Sequence, residues 1–179
     1  MRHIPILTVA LALTCLVHPA TSAEDVAPPP EVTKWKPLIG HWVSEEVRRS
    51  SEDEPWEEAT LEFDLRFAPG EFFVETPGKM TSPSDDSSSW IQVWGYDPSK
   101  KAAFSHWYGS TGAQGHSTYQ WHGRNVKLEG TDVMPDGSQL KIRCNWTNAE
   151  DYTSLEFVCE QFTSGKWWLY RKLKAEKVK

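Results

Sequence analysis

The chain has 179 residues, 39% hydrophobic and 25% charged, and a formal net charge of −6 at pH 7. That length suits one domain with a sizeable core, and the acidic balance argues against a nucleic-acid surface, which needs clustered cations to release phosphate counterions. Ten tryptophans in so short a chain call for many large, half-polar surfaces in a core, a pocket lining or an interface.

Residues 1–23 read as a secretory signal peptide. Arg2 is the basic start, an apolar run extends from Ile4 to Val17, and Ala20, Ser22 and Ala23 are the small residues of a site cleaved after Ala23. The run is shorter than the roughly 20 residues that span a bilayer, and no other segment supplies a transmembrane helix. Cys15 raises a lipid anchor as an alternative, which Thr14 before it fits poorly. The expected location is therefore secreted or periplasmic. Residues 24–33, with three consecutive prolines from Pro28, read as a stiff, extended leader. Residues 34–175 read as the folded domain, with a single helical turn fitting 32–38.

From Gly40 onward, tight-turn signals recur: Ala68-Pro69-Gly70, Asp97-Pro98, Gly123, Pro135-Asp136-Gly137 and Ser164-Gly165. The runs between them are rich in aromatic and β-branched residues. Leu61, Phe63, Leu65 and Phe67 alternate with polar residues, as do Leu140, Ile142, Cys144 and Trp146; such strands have one wet face and one buried face. About ten strands are expected, near 41–48, 59–67, 71–76, 90–96, 102–108, 116–122, 125–131, 139–147, 154–162 and 166–173. The Ser, Asp, Pro and Gly of residues 77–89 read as a mobile loop at the barrel mouth, a candidate lid. Sequential antiparallel strands leave two exposed edges unless the sheet closes, so the expected fold is all-β, a single closed up-and-down barrel.

Gly40 and Trp42 mark where that barrel begins. Glycine permits the sharp entry from a capping segment into the first strand, and Trp42 is expected to point inward and cover the floor. Its ring would accept a cation from the last strand, with Arg171 or Lys172 as the candidate. By parity Cys144 shares a face with Trp146, and Cys159 with Phe157. A hairpin centred near Asp151 or Tyr152 brings the two cysteines together, and export places them where disulfides persist.

These residues resemble a known group. A Gly-x-Trp opening with a basic residue near the end of the last strand is similar to the lipocalins and the wider calycin superfamily. "PLIGHW", "WGYDPSKKAAFSHW", "VKLEGTD" and "WWLYRKLK" resemble a family of bacterial exported proteins of unknown function, in which a Leu-x-Gly-x-Trp opening is followed by a Gly-Tyr-Asp-Pro turn and a tryptophan ten residues beyond its Asp, as at Asp97 and Trp107. The resemblance covers roughly residues 31–174 and implies a lipocalin-like barrel with, at most, small-molecule binding; it brings no catalytic residues. A haem-binding relative of this barrel class holds its iron on a histidine near the C-terminus. No histidine follows His122 here, which counts against haem, and no cofactor is expected.

The chemistry in the sequence is sparse. With the signal removed, the histidines are His41, His106, His116 and His122. In a hairpin centred near Gly112, His106 would sit diagonally from His116, without a carboxylate or thiol at metal-ligand spacing. No serine-hydrolase elbow, phosphate loop or Cys-x-x-Cys is present. Glu45 and Glu46 read as the wet face and rim of the first strand rather than an acid–base pair. The aromatics give the candidate ligand site: Trp90, Gln92 and Trp94 share one parity, and Phe104, His106 and Tyr108 share another on the next strand. If both faces point inward they form an aromatic wall with a few polar groups, as ligand sites do; alternatively the same residues fill the barrel or coat its outside. The reading is an exported barrel that binds a small apolar or amphipathic molecule without transforming it. A lipocalin-type isomerase or hydrolase built around His106, and a structural or interaction module of the envelope, are the alternatives.

Overall fold

A computed structural model describes residues 26–178, apart from Ser84 and the side chains of Asp85 and Asp86. The expected signal peptide lies outside the described residues. Ten strands follow in sequence: β1 (Gly40–Arg48), β2 (Glu57–Phe67), β3 (Val74–Ser82), β4 (Asp85–Asp97), β5 (Ala102–Gly109), β6 (Gln114–His122), β7 (Asn125–Val133), β8 (Gln139–Asn148), β9 (Ser154–Thr163) and β10 (Lys166–Lys177). Each pairs antiparallel with its sequence neighbour, and β10 pairs with β1, closing the barrel. A short helix, α1 (Pro30–Thr33), and a 3-10 turn (Lys36–Leu38) precede β1.

Residues 77–89 are not a lid. They are mostly strand, with Gly78 opposite Trp90, Lys79 opposite Ser89 and Met80 opposite Ser88. Their polar composition suits a strand because a pleated segment needs only one face toward the interior. Pro77, which cannot donate to a ladder, falls where β2–β3 pairing is interrupted, between Phe63–Gly78 and Arg66–Glu75.

The entry to β1 is built as its residue types suggest, with a different cation. Gly40 has φ 147°, and a Cβ there would strike the Lys177 side chain. Trp42 is fully buried, stacks on Phe63 at 6.3 Å between ring centroids, and donates its indole N–H to the Leu38 carbonyl at 2.9 Å. The cation over its ring is Lys177, with Nζ 5.8 Å from the centroid, and neither Arg171 nor Lys172. β10 runs on past residue 173, and its register sets Lys177 opposite Trp42. A bulge between Leu169 and Arg171 also changes which residues face inward. Lys172 stays exposed and lies over Trp56 at 5.4 Å, whereas Arg171 reaches into the barrel toward Glu46.

The floor is closed from outside the strands. Trp35, between α1 and the 3-10 turn, is fully buried, with ring centroids 4.6 Å from Trp94, 5.0 Å from Trp121, 5.4 Å from Trp146 and 5.8 Å from Tyr119. Its N–H donates to the Tyr119 hydroxyl at 3.1 Å. Burial pushes the pKa of that hydroxyl up to about 12, so it remains a neutral acceptor. Trp121 donates to the Glu31 carbonyl, and Lys177 to that of Pro37, so the segment is tied down along its length. Part of the expected leader is thus core, with Val32 fully buried.

Cys144 and Cys159 face each other directly across β8 and β9 and are joined by a disulfide with 15 residues of sequence separation. Closing such a loop restricts the unfolded chain by about 3 kcal/mol. Replacing both cysteines with alanine is expected to lower the unfolding free energy by about that amount in urea titrations; an unchanged midpoint would contradict it.

Candidate functional site

Height in the barrel divides the interior. In the floor half, Leu65, Trp94, Tyr119, Val126 and Leu155 are at most 2% exposed. In the mouth half, Arg48, Met80, Trp90, Gln92, Trp107 and Asp132 occupy inward positions of their strands yet are only half-buried. Solvent therefore reaches them from the open end, the cup, whereas the floor half is packed.

Alternation on β1 supplies one wall of the cup. Trp42, Ser44, Glu46 and Arg48 share the inward face while Val43 and Glu45 are exposed. Glu46 is only 3% exposed and accepts from Arg171, with Nε and Nη2 each 2.6 Å from Oε2. Burial disfavours the charge on Arg171, but the Glu46 carboxylate outweighs this and the guanidinium holds its proton more tightly than usual. Arg171 lies opposite Arg48 in register, so the inner wall carries two neighbouring arginines, one turned to Glu46 and the other to Met80 and Ser82.

Opposite them, Trp107, Gly115 and Asp132 occupy one row across β5, β6 and β7. Trp107 crosses Gly115 and donates to Asp132 Oδ1 at 2.8 Å; a Cβ at Gly115 would collide with both the indole and the carboxyl, so this close approach needs glycine. Burial holds the Asp132 carboxyl above its ordinary pKa, against the opposing pulls of the Trp107 N–H, Arg171 and His116. Nearby, Gln92 donates to Ser105 Oγ at 2.6 Å.

The residues singled out from the sequence separate into three places. Trp90 and Gln92 line the cup. Trp94 belongs to the packed floor, 1% exposed, with its N–H on Thr76 Oγ1 at 3.0 Å. Phe104, His106 and Tyr108 face outward, contrary to the inward wall expected of them, because Trp94 pairs with Ser105 and Gln92 with Trp107. Inward positions on β5 are therefore Ala103, Ser105 and Trp107. Phe104 lies with Phe73 across the outer face of Gly95, and Tyr108 is 50% exposed. His106 stands directly opposite His116 rather than diagonally. These two and Phe104 border an open groove of about 550 Å³ on the outer wall, with Asp97 and Lys100 at one end.

Sequence reasoning missed Glu46, Arg48, Trp107 and Asp132 as site residues. A signal existed for the first two: they continue the parity of Trp42, and a polar residue on the apolar parity of a strand is an inward polar residue. Nothing comparable marked Asp132, whose partner comes from a different hairpin.

The arrangement is similar in fold to a solved structure. No curated protein matches the chain. Among solved structures, the crystal structure of Rv2717c from M. tuberculosis aligns with a TM-score of 0.60 at 12% identity, covering 85% of this chain and 99% of its own. The S-type phycobiliprotein lyase CPES from Guillardia theta aligns at 0.41 and 10% identity, again over 85% and 99%. The model of the family described as "Protein of unknown function (DUF1579)" matches residues 29–168, from the plug before β1 to the start of β10, and the chain belongs to that family.

Proposed function

We propose that this protein is an exported binding protein that takes a small amphipathic molecule into the mouth of its barrel and releases it unchanged. The observation carrying this reading is the half-exposure of inward-facing Trp90, Trp107, Met80 and Arg48 above a floor that is packed solid. A concave site with aromatic walls and a few placed polar groups is what small-ligand sites share. The enzymatic alternative needs a histidine in the cup, whereas His41, His106, His116 and His122 all lie on outward positions of their strands.

N-phenyl-1-naphthylamine, a neutral apolar probe, is expected to bind with a rise in its emission and a fall in tryptophan emission. Replacing Trp90 and Trp107 with phenylalanine should weaken that energy transfer, while Phe104→Ser and His106→Ala on the outer wall should leave binding unchanged. Loss of binding in the outer-wall variants would move the site to the outer groove. No binding at all would leave the barrel without the proposed function.

A further inference from the structure

Resting on that reading, we infer that the cup selects amphiphiles with a monoanionic carboxylate head group, which Arg48 binds while the chain lies against the tryptophans. The two inner-wall arginines are not equivalent. Arg171 is committed to Glu46 through two contacts of 2.6 Å. Arg48 makes no ion pair among the described residues. Its contacts are Met80 Sδ at 3.2 Å and Ser82 Oγ at 3.5 Å, both uncharged acceptors, and sulfur a weak one. A guanidinium offers five N–H donors in a fork that fits a carboxylate, and a half-buried charge without a counterion is costly to hold. An entering anion supplies an ion pair that Arg48 does not make among the described residues.

Below the cup, Ser44 is a second polar residue on the inward face of β1. It is 2% exposed, lies one inward position below Glu46, and its Oγ has no hydrogen-bond partner. A polar group is therefore accommodated inside the barrel on the same strand as Arg48.

The surrounding charges limit the head group to a single negative charge. Glu46 is taken by Arg171, and Asp132 is engaged by Trp107 on the far wall. Glu57, opposite Arg48 in register, stands exposed at the rim. One arginine neutralises one charge; a phosphate monoester, carrying between one and two, would leave the excess beside Glu46 and Glu57.

The test is displacement of N-phenyl-1-naphthylamine by dodecanoate, dodecanol, dodecylamine and dodecyl phosphate at about pH 8, where the fatty carboxyl is ionised. Dodecanoate is expected to displace the probe at about tenfold lower concentration than dodecanol, the ratio one charge-assisted hydrogen bond sustains. Arg48→Met should erase that gap, and Arg48→Lys, which keeps the charge but loses the fork, should retain part of it. Circular dichroism checks that both variants fold, and Arg48→Lys carries the test if Arg48→Met does not. Dodecanol or dodecylamine equalling dodecanoate, or a preference that survives Arg48→Met, overturns the assignment of Arg48. Dodecyl phosphate displacing more strongly than dodecanoate overturns the carboxylate class. Failure of the probe to bind at all is a different result and removes the cup reading itself.

Discussion

Replacing Trp35 with alanine is expected to lower the unfolding free energy by about 3–5 kcal/mol, the range for deleting a buried aromatic ring. The residue is fully buried, touches four other aromatic rings and holds the Tyr119 hydroxyl. Removing it leaves a void where the neighbours, being aromatic and anchored on three different strands, have little freedom to collapse. Trp56 is the control: it is 37% exposed outside the barrel, and its truncation should cost well under half as much. Urea titrations with near-ultraviolet circular dichroism measure both. A loss below about 1 kcal/mol at Trp35 would show that the segment before β1 is an appendage and not the floor of the barrel. Deleting the chain up to Leu38 offers an independent check, with an expected loss at least as large as that of Trp35→Ala.

A comparable loss is expected from Arg171→Met. The Glu46 side chain is 1% exposed and the Arg171 side chain 29%, so the two halves of the pair differ in what happens when the other goes. Without Arg171, an ionised carboxylate is left in the wall with no counterion, at a cost of about 3–5 kcal/mol. Without Glu46, the guanidinium still reaches water through the mouth, so Glu46→Gln should cost less, closer to the roughly 1.5–3 kcal/mol of a hydrogen bond to a charged group. The double variant should be more stable than Arg171→Met alone, because the stranded charge is gone. If the double variant instead loses the sum of the two single losses, the account in terms of a stranded charge is wrong, and Arg171 stabilises through its guanidinium over the Phe157 ring, with Cζ 5.8 Å from the centroid.

Much of the architecture is legible in local pattern. Two-residue alternation over 61–67 and 140–146, with turn residues between the runs, is enough for an all-β meander, and the problem of unpaired edges is enough to close it. Gly40 and Trp42 announce the entry because the chain turns into β1 at a φ of 147°, which side-chain-bearing residues rarely adopt. The stretch 77–89 was illegible for a related reason. Its strands are polar, and only pairing with neighbours already in place reveals them as strands.

What the sequence by itself determines is which residues share a face; it does not determine which face is inside. Trp90, Gln92 and Trp94 do share one, as do Phe104, His106 and Tyr108, but the inter-strand register turned the first set inward and the second outward. A slip of one residue inverts a whole strand, and β5, with aromatic residues on both parities, carries no internal clue. The bulge at Tyr170 added a second inversion that directed Arg171 into the barrel. Tertiary structure alone decided that Trp35, from a segment that reads as a proline-rich leader and a helical turn, fills the floor. It also decided that Asp132 meets Trp107 and that Arg48 stands in the mouth without a counterion among the described residues, because each of these depends on where separate hairpins meet and not on any one of them.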